Sequence, residues 1–278
     1  MDSIIVSTDF SKEAENAMEY AGALAQKAGL KLVLFNSFSL PLHTANTLLP
    51  ATGFSRLEEG NRRLLSQRAE KLKERYGVEV AIETDFLSEI EDKLENLFVK
   101  NNAVLVVMGM AAKSVEQDIF GNSTTSAIFK LKYPVLAVPA SASFGKMDNI
   151  LFACDDIHKV EKEILEKIKN LNRLLEARLE VFHVEDTPLG EKGVKDVPKK
   201  IPELEDVDYS FKNLNSENVI HAIKKEIEHL DAKLLIMIPR RYGFWESVIH
   251  RSKTRVMASG LSIPLLSIPQ LTRTFRYA

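Results

Sequence analysis

The sequence repeats itself, and this repetition restricts the possible folds more than any other feature. Residues 2–9 (DSIIVSTD) align with residues 148–155 (DNILFACD) at an offset of 146 residues. Near the end of each copy, Pro134 aligns with Pro264 at an offset of 130 residues. The second copy is therefore shorter by 16 residues, the difference between the two offsets. We expect the loss in the charged, proline-containing stretch from Thr187 to Val207.

Within each copy, short apolar runs alternate with helical patterns. The first copy predicts strands over 4–6, 30–35, 78–82, 104–108 and 135–138, with helices over 11–28, 56–76 and 87–100 and after Gly121. Strands that are apolar on both faces and separated by helices are typical of a parallel sheet covered on both sides. The sequence thus predicts an α/β protein of two tandem open parallel-sheet sandwiches with helices on both faces. The predicted domains are 1–142 and 147–278, joined by a linker of small residues.

Composition excludes several classes of function. A formal net charge of −2, with both signs well mixed, gives no reason to expect a nucleic acid or an anionic membrane as partner. A single cysteine, no apolar run of membrane-spanning length and no leader-like start predict a cytoplasmic protein. The six histidines are scattered without metal-ligand spacing, and no nucleophile elbow, Walker loop or kinase signature is present, so catalysis has little support.

Three polar segments follow predicted strands of the first copy, where α/β sheets bind ligands. They are Thr8 to Ser11, Asn36-Ser37, and the stretch from Met108-Gly109 to Ser126. In the third stretch Gly121 stands at a predicted helix start, which attracts phosphate. Asn122, Ser123 and Thr124 could donate hydrogen bonds to the same phosphate or could only cap the helix. Both interpretations stay open on the residues alone.

The tandem order, the Asp after the first strand, and the loop that precedes a Pro-Val-Leu-Ala-Val-Pro strand resemble the universal stress protein family. The resemblance covers nearly the whole chain and implies an adenine nucleotide α-hydrolase-like sandwich of five parallel strands. Members that bind ATP carry a G-x2-G-x9-G-[ST] loop, matched here by Gly109 and Gly121. The resemblance also implies Asp9 near the adenosine and the backbone of Ser37 against adenine. The implied site for ATP or AMP comprises Thr8, Asp9, Ser37, Met108, Gly109, Ala112, Gly121, Asn122, Ser123 and Thr124.

Both copies depart from the family pattern. In the first, Ala112 replaces the second glycine, the spacing to Gly121 is shorter by one residue, and Asn122 stands where Ser or Thr is usual. In the second, the same alignment places Pro239, Tyr242 and Arg251 at the loop glycines and at Ala112. Removing an N–H group and adding bulk oppose phosphate binding, so the sequence predicts that the second copy has lost its loop.

The resemblance implies a stress-response protein that binds an adenine nucleotide in its first domain and so regulates its interactions. The alternative is an interaction or assembly protein without nucleotide. Slow ATP hydrolysis is a third, weaker option. Because the last strand commonly forms dimer contacts in this family, the two domains could pair within one chain, giving a monomer or a dimer of tandem chains. Unidentified protein partners remain open.

Overall fold

The computed structural model describes residues 1–38, 51–86, 89–110, 122–154, 156–185, 200–216, 218–239 and 261–270 of the 278-residue chain. The described residues form two compact units, one ending at Phe144 and the other beginning at Gly145. Among the described helices, none combines the length and the apolar character needed to cross a bilayer.

The first unit is a parallel sheet of five strands in the order β3-β2-β1-β4-β5. Its elements in chain order are β1 (Ser3–Ser7), α1 (Lys12–Ala28), β2 (Lys31–Phe38), α2 (Ala51–Tyr76), β3 (Val80–Phe86), α3 (Ile90–Lys100), β4 (Ala103–Met110), α4 (Asn122–Lys130) and β5 (Val135–Pro139). Right-handed crossovers place α1 and α2 on one face and α3 and α4 on the other.

The second unit repeats this order as β8-β7-β6-β9-β10, again with parallel pairs. Its elements are β6 (Asn149–Cys154), α5 (Lys162–Leu175), β7 (Arg178–Glu185), β8 (Tyr209–Asn215), α6 (Val219–Leu230), β9 (Leu234–Met237) and β10 (Leu265–Ser267). The connection between the second and third strands runs over residues 39–79 in the first unit and 186–208 in the second. The shortening therefore lies where the sequence predicted it, and the predicted fold class is confirmed.

Local sequence signals account for the first α/β step. The Ser11 side chain accepts a hydrogen bond from the Ala14 N–H and caps α1, and Gly29 ends the helix with a φ of 65°. All five residues of β1 are buried, as expected of a central strand covered on both faces. Glu176 ends α5 in the same left-handed conformation, with a φ of 55°. The repeat is thus carried by backbone geometry as well as by sequence.

Equivalent backbone hydrogen bonds fix the alignment of the two units and correct the sequence-based one. Val106 donates to the Pro134 carbonyl at 3.0 Å, and Leu235 donates to the Pro264 carbonyl at 3.0 Å. Val106 therefore corresponds to Leu235, an offset of 129 residues, although the prolines pair at 130. The sheet registers agree with this assignment, since Val106 and Leu235 lie opposite Ile5 and Leu151, which pair at the 146-residue offset.

The corrected alignment changes which residue stands in place of Gly109. Its counterpart is Ile238, and Pro239 corresponds to Met110. The prediction that Pro239 replaces Gly109 was wrong by one residue. Apolar side chains fill both strands, so a shift of one residue leaves no trace in the hydrophobic pattern.

Candidate functional site

The strand order of the first unit reverses between β1 and β4. At such a switch point the connections leave in opposite directions and open a crevice beyond the carboxyl ends of the strands. The segments that end at this edge are the β1–α1 turn, the last residues of β2, and the end of β4 followed by the start of α4. These are the segments that carry most of the predicted site residues.

The β1–α1 turn is held by its own side chains. The Phe10 N–H donates to Thr8 Oγ1 at 3.0 Å, and the Ser11 N–H donates to Asp9 Oδ1 at 2.9 Å. Phe10 has a φ of 64°, which is unusual for a residue with a bulky side chain. The Arg68 guanidinium lies 4.7 Å from the centre of the Phe10 ring. The turn is therefore fixed in a strained conformation, as is common at ligand sites, while Asp9 stays exposed.

An amide at the end of β2 joins this turn to the sheet. The Asn36 Nδ2 donates to the Thr8 carbonyl at 2.7 Å, and the Thr8 N–H donates to the Phe35 carbonyl at 2.8 Å. Asn36 Oδ1 is buried, and among the described residues it accepts no hydrogen bond. Such an acceptor costs roughly 1–3 kcal/mol unless something donates to it. The half-buried Ser37 follows directly.

The sequence analysis placed Asn36 beside the site but not in the predicted set. The signal that could have singled it out is an amide directly after the apolar run from Leu32 to Phe35. A polar side chain at the end of a buried strand needs partners, and those partners lie near other strand ends.

Gly109 has a packing role that the sequence did not reveal. A Cβ atom at this position would lie 2.6 Å from the Glu13 carbonyl carbon and 2.7 Å from the Ala14 backbone nitrogen. No real Cβ makes contacts that close, so only glycine lets α1 approach β4 at this point. The missing side chain thus brings the start of α1 over the end of β4.

The two hydroxyls at the start of α4 have different surroundings. Thr124 is buried, and its Oγ1 donates to the Gly109 carbonyl at 3.0 Å. Ser123 is exposed. The hydrogen bond of Thr124 fastens the first turn of α4 to the end of β4, which leaves Ser123 as the accessible hydroxyl. The interpretations that the residues left open, phosphate binding and capping, therefore have to be weighed separately for Ser123 and Thr124.

A carboxylate on α3 also anchors α4. Glu91 accepts a hydrogen bond from the Ser126 hydroxyl and lies 3.2 Å from the Lys130 Nζ. Partial burial alone would raise the pKa of Glu91, but the hydrogen bonds from Ser126 and Lys130 outweigh it and lower the pKa. The ionised Glu91 thus holds the helix whose N-terminus faces the candidate site.

The structure brings together most of the predicted site. Thr8, Asp9, Ser37, Gly109 and Thr124 lie at or just beyond the ends of neighbouring strands. The others behave as follows: Ser123 is exposed in the first turn of α4, Asn122 begins that helix, and Met108 is buried in β4 opposite Ser7. Ala112 and Gly121 lie outside the described residues, as do Asp155, Tyr242 and Arg251 of the second copy.

The second unit has different groups at the same edge. His183 corresponds to Asn36, and its Nδ1 lies 3.2 Å from the Cys154 carbonyl oxygen, the counterpart of the Thr8 carbonyl. Ile238 is buried in the place of Gly109. The connection to the next helix is longer, over residues 155–161 against 8–11. Within the described parts of both units, no set of three His, Cys, Asp or Glu side chains is arranged to hold a metal ion.

A profile of the universal stress protein family matches residues 1–139, half of the 278-residue chain. The chain belongs to the universal stress protein family. The tandem form predicted from the sequence agrees with solved structures that match almost the whole chain. A search of curated proteins gave no significant match.

Two solved structures show how far the similarity of fold extends. A universal stress protein from Archaeoglobus fulgidus superposes with a TM-score of 0.72 at 18% identity, over 96% of this chain and 98% of that chain. A candidate universal stress protein from Pseudomonas aeruginosa has a TM-score of 0.58 at 14% identity, over 97% of this chain and 93% of that chain. At these identities the similarity establishes the fold alone.

A third structure is that of a universal stress protein from Archaeoglobus fulgidus in complex with dAMP. It is 19% identical and covers 49% of this chain and 97% of that chain, with a TM-score of 0.37. Some universal stress proteins therefore bind adenine nucleotides.

Proposed function

We propose that the first unit binds an adenine nucleotide, ATP or AMP, at the carboxyl ends of β1, β2 and β4, and that binding regulates the interactions of the protein in a stress response. The observation that carries this proposal is the convergence of polar groups at the switch point, including the buried and unsatisfied Asn36 Oδ1. The low overall similarity to the dAMP complex means that the argument rests on this chain's own residues.

The β1–β2 side suits the adenosine part of the nucleotide. Asp9 is exposed, and one of its carboxylate oxygens is already used by the Ser11 N–H. The remaining acceptor capacity of a carboxylate suits ribose hydroxyls. Asn36 Oδ1 is an acceptor without a donor, and the adenine amino group or a ribose hydroxyl supplies one. The backbone of Ser37 adds further polar groups beside it.

The β4–α4 side suits the phosphates. The N–H groups at the start of α4 have no partners within the helix and lie at its positive end. Ser123 adds an exposed hydroxyl in the same turn, and Thr124 holds that turn against Gly109. Phosphates bound here would stabilise one arrangement of the turn, and a partner that prefers this arrangement would respond to the nucleotide.

Calorimetric titration with ATP and with AMP tests this proposal. The wild-type protein should bind at least one of them, and Asp9→Ala should weaken binding about tenfold, which is ~1.4 kcal/mol. Asp156→Ala is the matched control, because Asp156 Oδ1 accepts from the His158 N–H in a similar turn of the second unit. Absence of heat and of any thermal shift with millimolar ligand would refute the proposal, as would equal losses in the two variants.

The second candidate is an interaction or assembly protein without nucleotide. It is favoured by the internal use of two groups of the predicted site, since the missing side chain of Gly109 serves packing against α1 and the Thr124 hydroxyl serves α4. Light scattering with and without ATP separates the two candidates. A mass that depends on protein concentration but not on nucleotide, with no heat of binding, supports assembly alone.

A further inference from the structure

A buried group of charged side chains lies in the second unit, away from the strand ends used by the proposed nucleotide site. Glu180 on β7 is 9% exposed, and Glu226 on α6 is 5% exposed. The Lys212 Nζ on β8 lies 2.5 Å from Glu226 Oε2, and His229 Nδ1 on α6 lies 3.2 Å from Glu226 Oε1. Both oxygens of Glu226 therefore have a partner.

Glu180 has no comparable partner. Its Oε1 is buried without a hydrogen-bond donor among the described residues. Its neighbours in the sheet are Leu151 on β6 and Ser210 on β8, neither of which carries charge. Two buried carboxylates thus face the charge of one lysine, with His229 mostly in solvent. Two carboxylates cannot hydrogen-bond to each other unless one of them is protonated.

The electrostatics agree with this geometry. Burial first, and then the negative charge of Glu226 and a hydrogen bond to it, raise the pKa of Glu180. Lys212 and His229 act in the opposite direction but do not outweigh these effects. Like charges that share a buried site are a standard cause of a raised carboxyl pKa. Because the two groups interact, the titration belongs to the pair.

We propose that Glu180 and Glu226 share one proton in the folded second unit, and that loss of this proton weakens the packing of α6 on β7 and β8. The pair would act as a pH-sensitive device in this unit. The proposal is independent of nucleotide binding, because it involves neither the same unit nor the same residues.

The first unit shows that the fold does not require this arrangement. Val33 is buried at the position equivalent to Glu180, opposite Ile5 as Glu180 is opposite Leu151. An ion pair between helix and outer strand exists in both units with exchanged charges: Glu83 on β3 accepts from Lys100 at 2.6 Å. The second carboxylate is therefore an addition specific to the second unit.

The direction of the pH effect follows from the raised pKa. The folded second unit holds the proton more tightly than the unfolded chain does. Its contribution to stability is present below the unfolded pKa, near the ordinary value of 4.5, and is lost as the pH rises through the raised value. The second unit should thus be weakened on the alkaline side.

Hydrogen exchange of residues 219–230 and thermal unfolding of the full chain between pH 5 and pH 9 test the proposal, after correction for intrinsic exchange. Glu180→Gln keeps the shape and removes the charge, so its unfolding midpoint at pH 8 should exceed the wild-type midpoint by about 2–4 °C. At pH 5 the two midpoints should differ less. Glu228→Gln, an exposed position on the same helix, is the matched control and should follow the wild type.

A second variant tests the charge balance. Lys212→Met removes the cation that favours the ionised pair, so the pH at which α6 loses protection should move upward. A downward shift, or no shift, would overturn the proposal. It would also be overturned if the wild type and Glu180→Gln had parallel pH profiles, or if Glu180→Gln were the less stable protein at pH 8.

Discussion

The two units share a backbone frame but differ in the groups that close it. Lys31 donates to the Asp2 carbonyl at 3.2 Å, and Arg178 donates to the Asp148 carbonyl at 2.9 Å, so the pairing of the first two strands is the same. At the end of the fourth strand the first unit has Gly109 and the second has Ile238. The glycine admits the backbone of α1, whereas the isoleucine fills that position with a buried side chain.

Three exchanges of this kind separate a unit suited to a ligand from one that is not. Asn36, Gly109 and Val33 of the first unit correspond to His183, Ile238 and Glu180 of the second. None of them disturbs the parallel sheet, because each lies at a strand end or faces a helix. The comparison teaches that the sheet carries the repeat, while side chains at its edge and under its helices carry the difference in chemistry.

The largest expected effect tests the close approach of α1 to β4. Gly109→Ala should lower the free energy of unfolding by about 2–3 kcal/mol, because its Cβ collides with the backbone of Glu13 and Ala14. Urea unfolding followed by circular dichroism measures the change.

Gly60→Ala is the matched control for that substitution. Gly60 lies within α2 and has open space where a Cβ would stand, so alanine should raise the stability by about 0.5–1 kcal/mol. If Gly109→Ala unfolded like the wild type, the packing role of Gly109 would be wrong, and the contrast with Ile238 would lose its meaning.

The next effect separates the two hydroxyls at the start of α4. Thr124→Val keeps the shape but leaves the Gly109 carbonyl without its donor, so it should cost about 1–2 kcal/mol of stability. Ser123→Ala should change stability by less than about 0.5 kcal/mol, because Ser123 is exposed.

Nucleotide binding gives a second measurement on this pair. Ser123→Ala should weaken ATP binding more than AMP binding if its hydroxyl contacts the outer phosphates. Stability loss in Ser123→Ala without any change in affinity would contradict the separate roles of the two hydroxyls.

The sequence sufficed for the fold because its signals are local. Apolar strands separated by capped helices, with Gly29 ending α1, predict the parallel sheet and the repeat without reference to distant residues. The one-residue error at Pro239 arose because Pro134 and Pro264 fix the last strand of each unit but not the strand before it. Between them, a one-residue difference leaves the apolar pattern unchanged.

The site was less predictable because its decisive contacts join distant parts of the chain. The close approach of Gly109 to Glu13, and the bond from Asn36 to the Thr8 carbonyl, depend on how strands are ordered in the sheet. The pairing of Glu180 with Glu226 depends on a helix that follows two strands later. No spacing in the sequence indicates such contacts.

The smallest expected effect is a difference in pH response between the units. The lowered pKa of Glu91 means that its contribution to stability is present above the unfolded value, near 4.5, and is lost as the pH falls through the folded value. Glu91→Gln should therefore make the acid-side loss of stability shallower, by less than about 1 kcal/mol.

Unfolding free energies between pH 3 and pH 7 measure this effect, with Asp92→Asn in the same helix turn as control. The second unit responds to the opposite side of the pH range through Glu180. If Glu91→Gln and Asp92→Asn gave the same profile as the wild type, Glu91 would have no special role in holding α4.

The most direct test of the central claim, a nucleotide site in the first unit and none in the second, is hydrogen exchange measured by mass spectrometry with and without ATP. We predict slower exchange in residues 8–11, 36–38 and 122–126 with ATP bound, and unchanged exchange in residues 156–160, 183–185 and 237–239. Protection confined to the second unit, or equal protection of both units, would contradict the account.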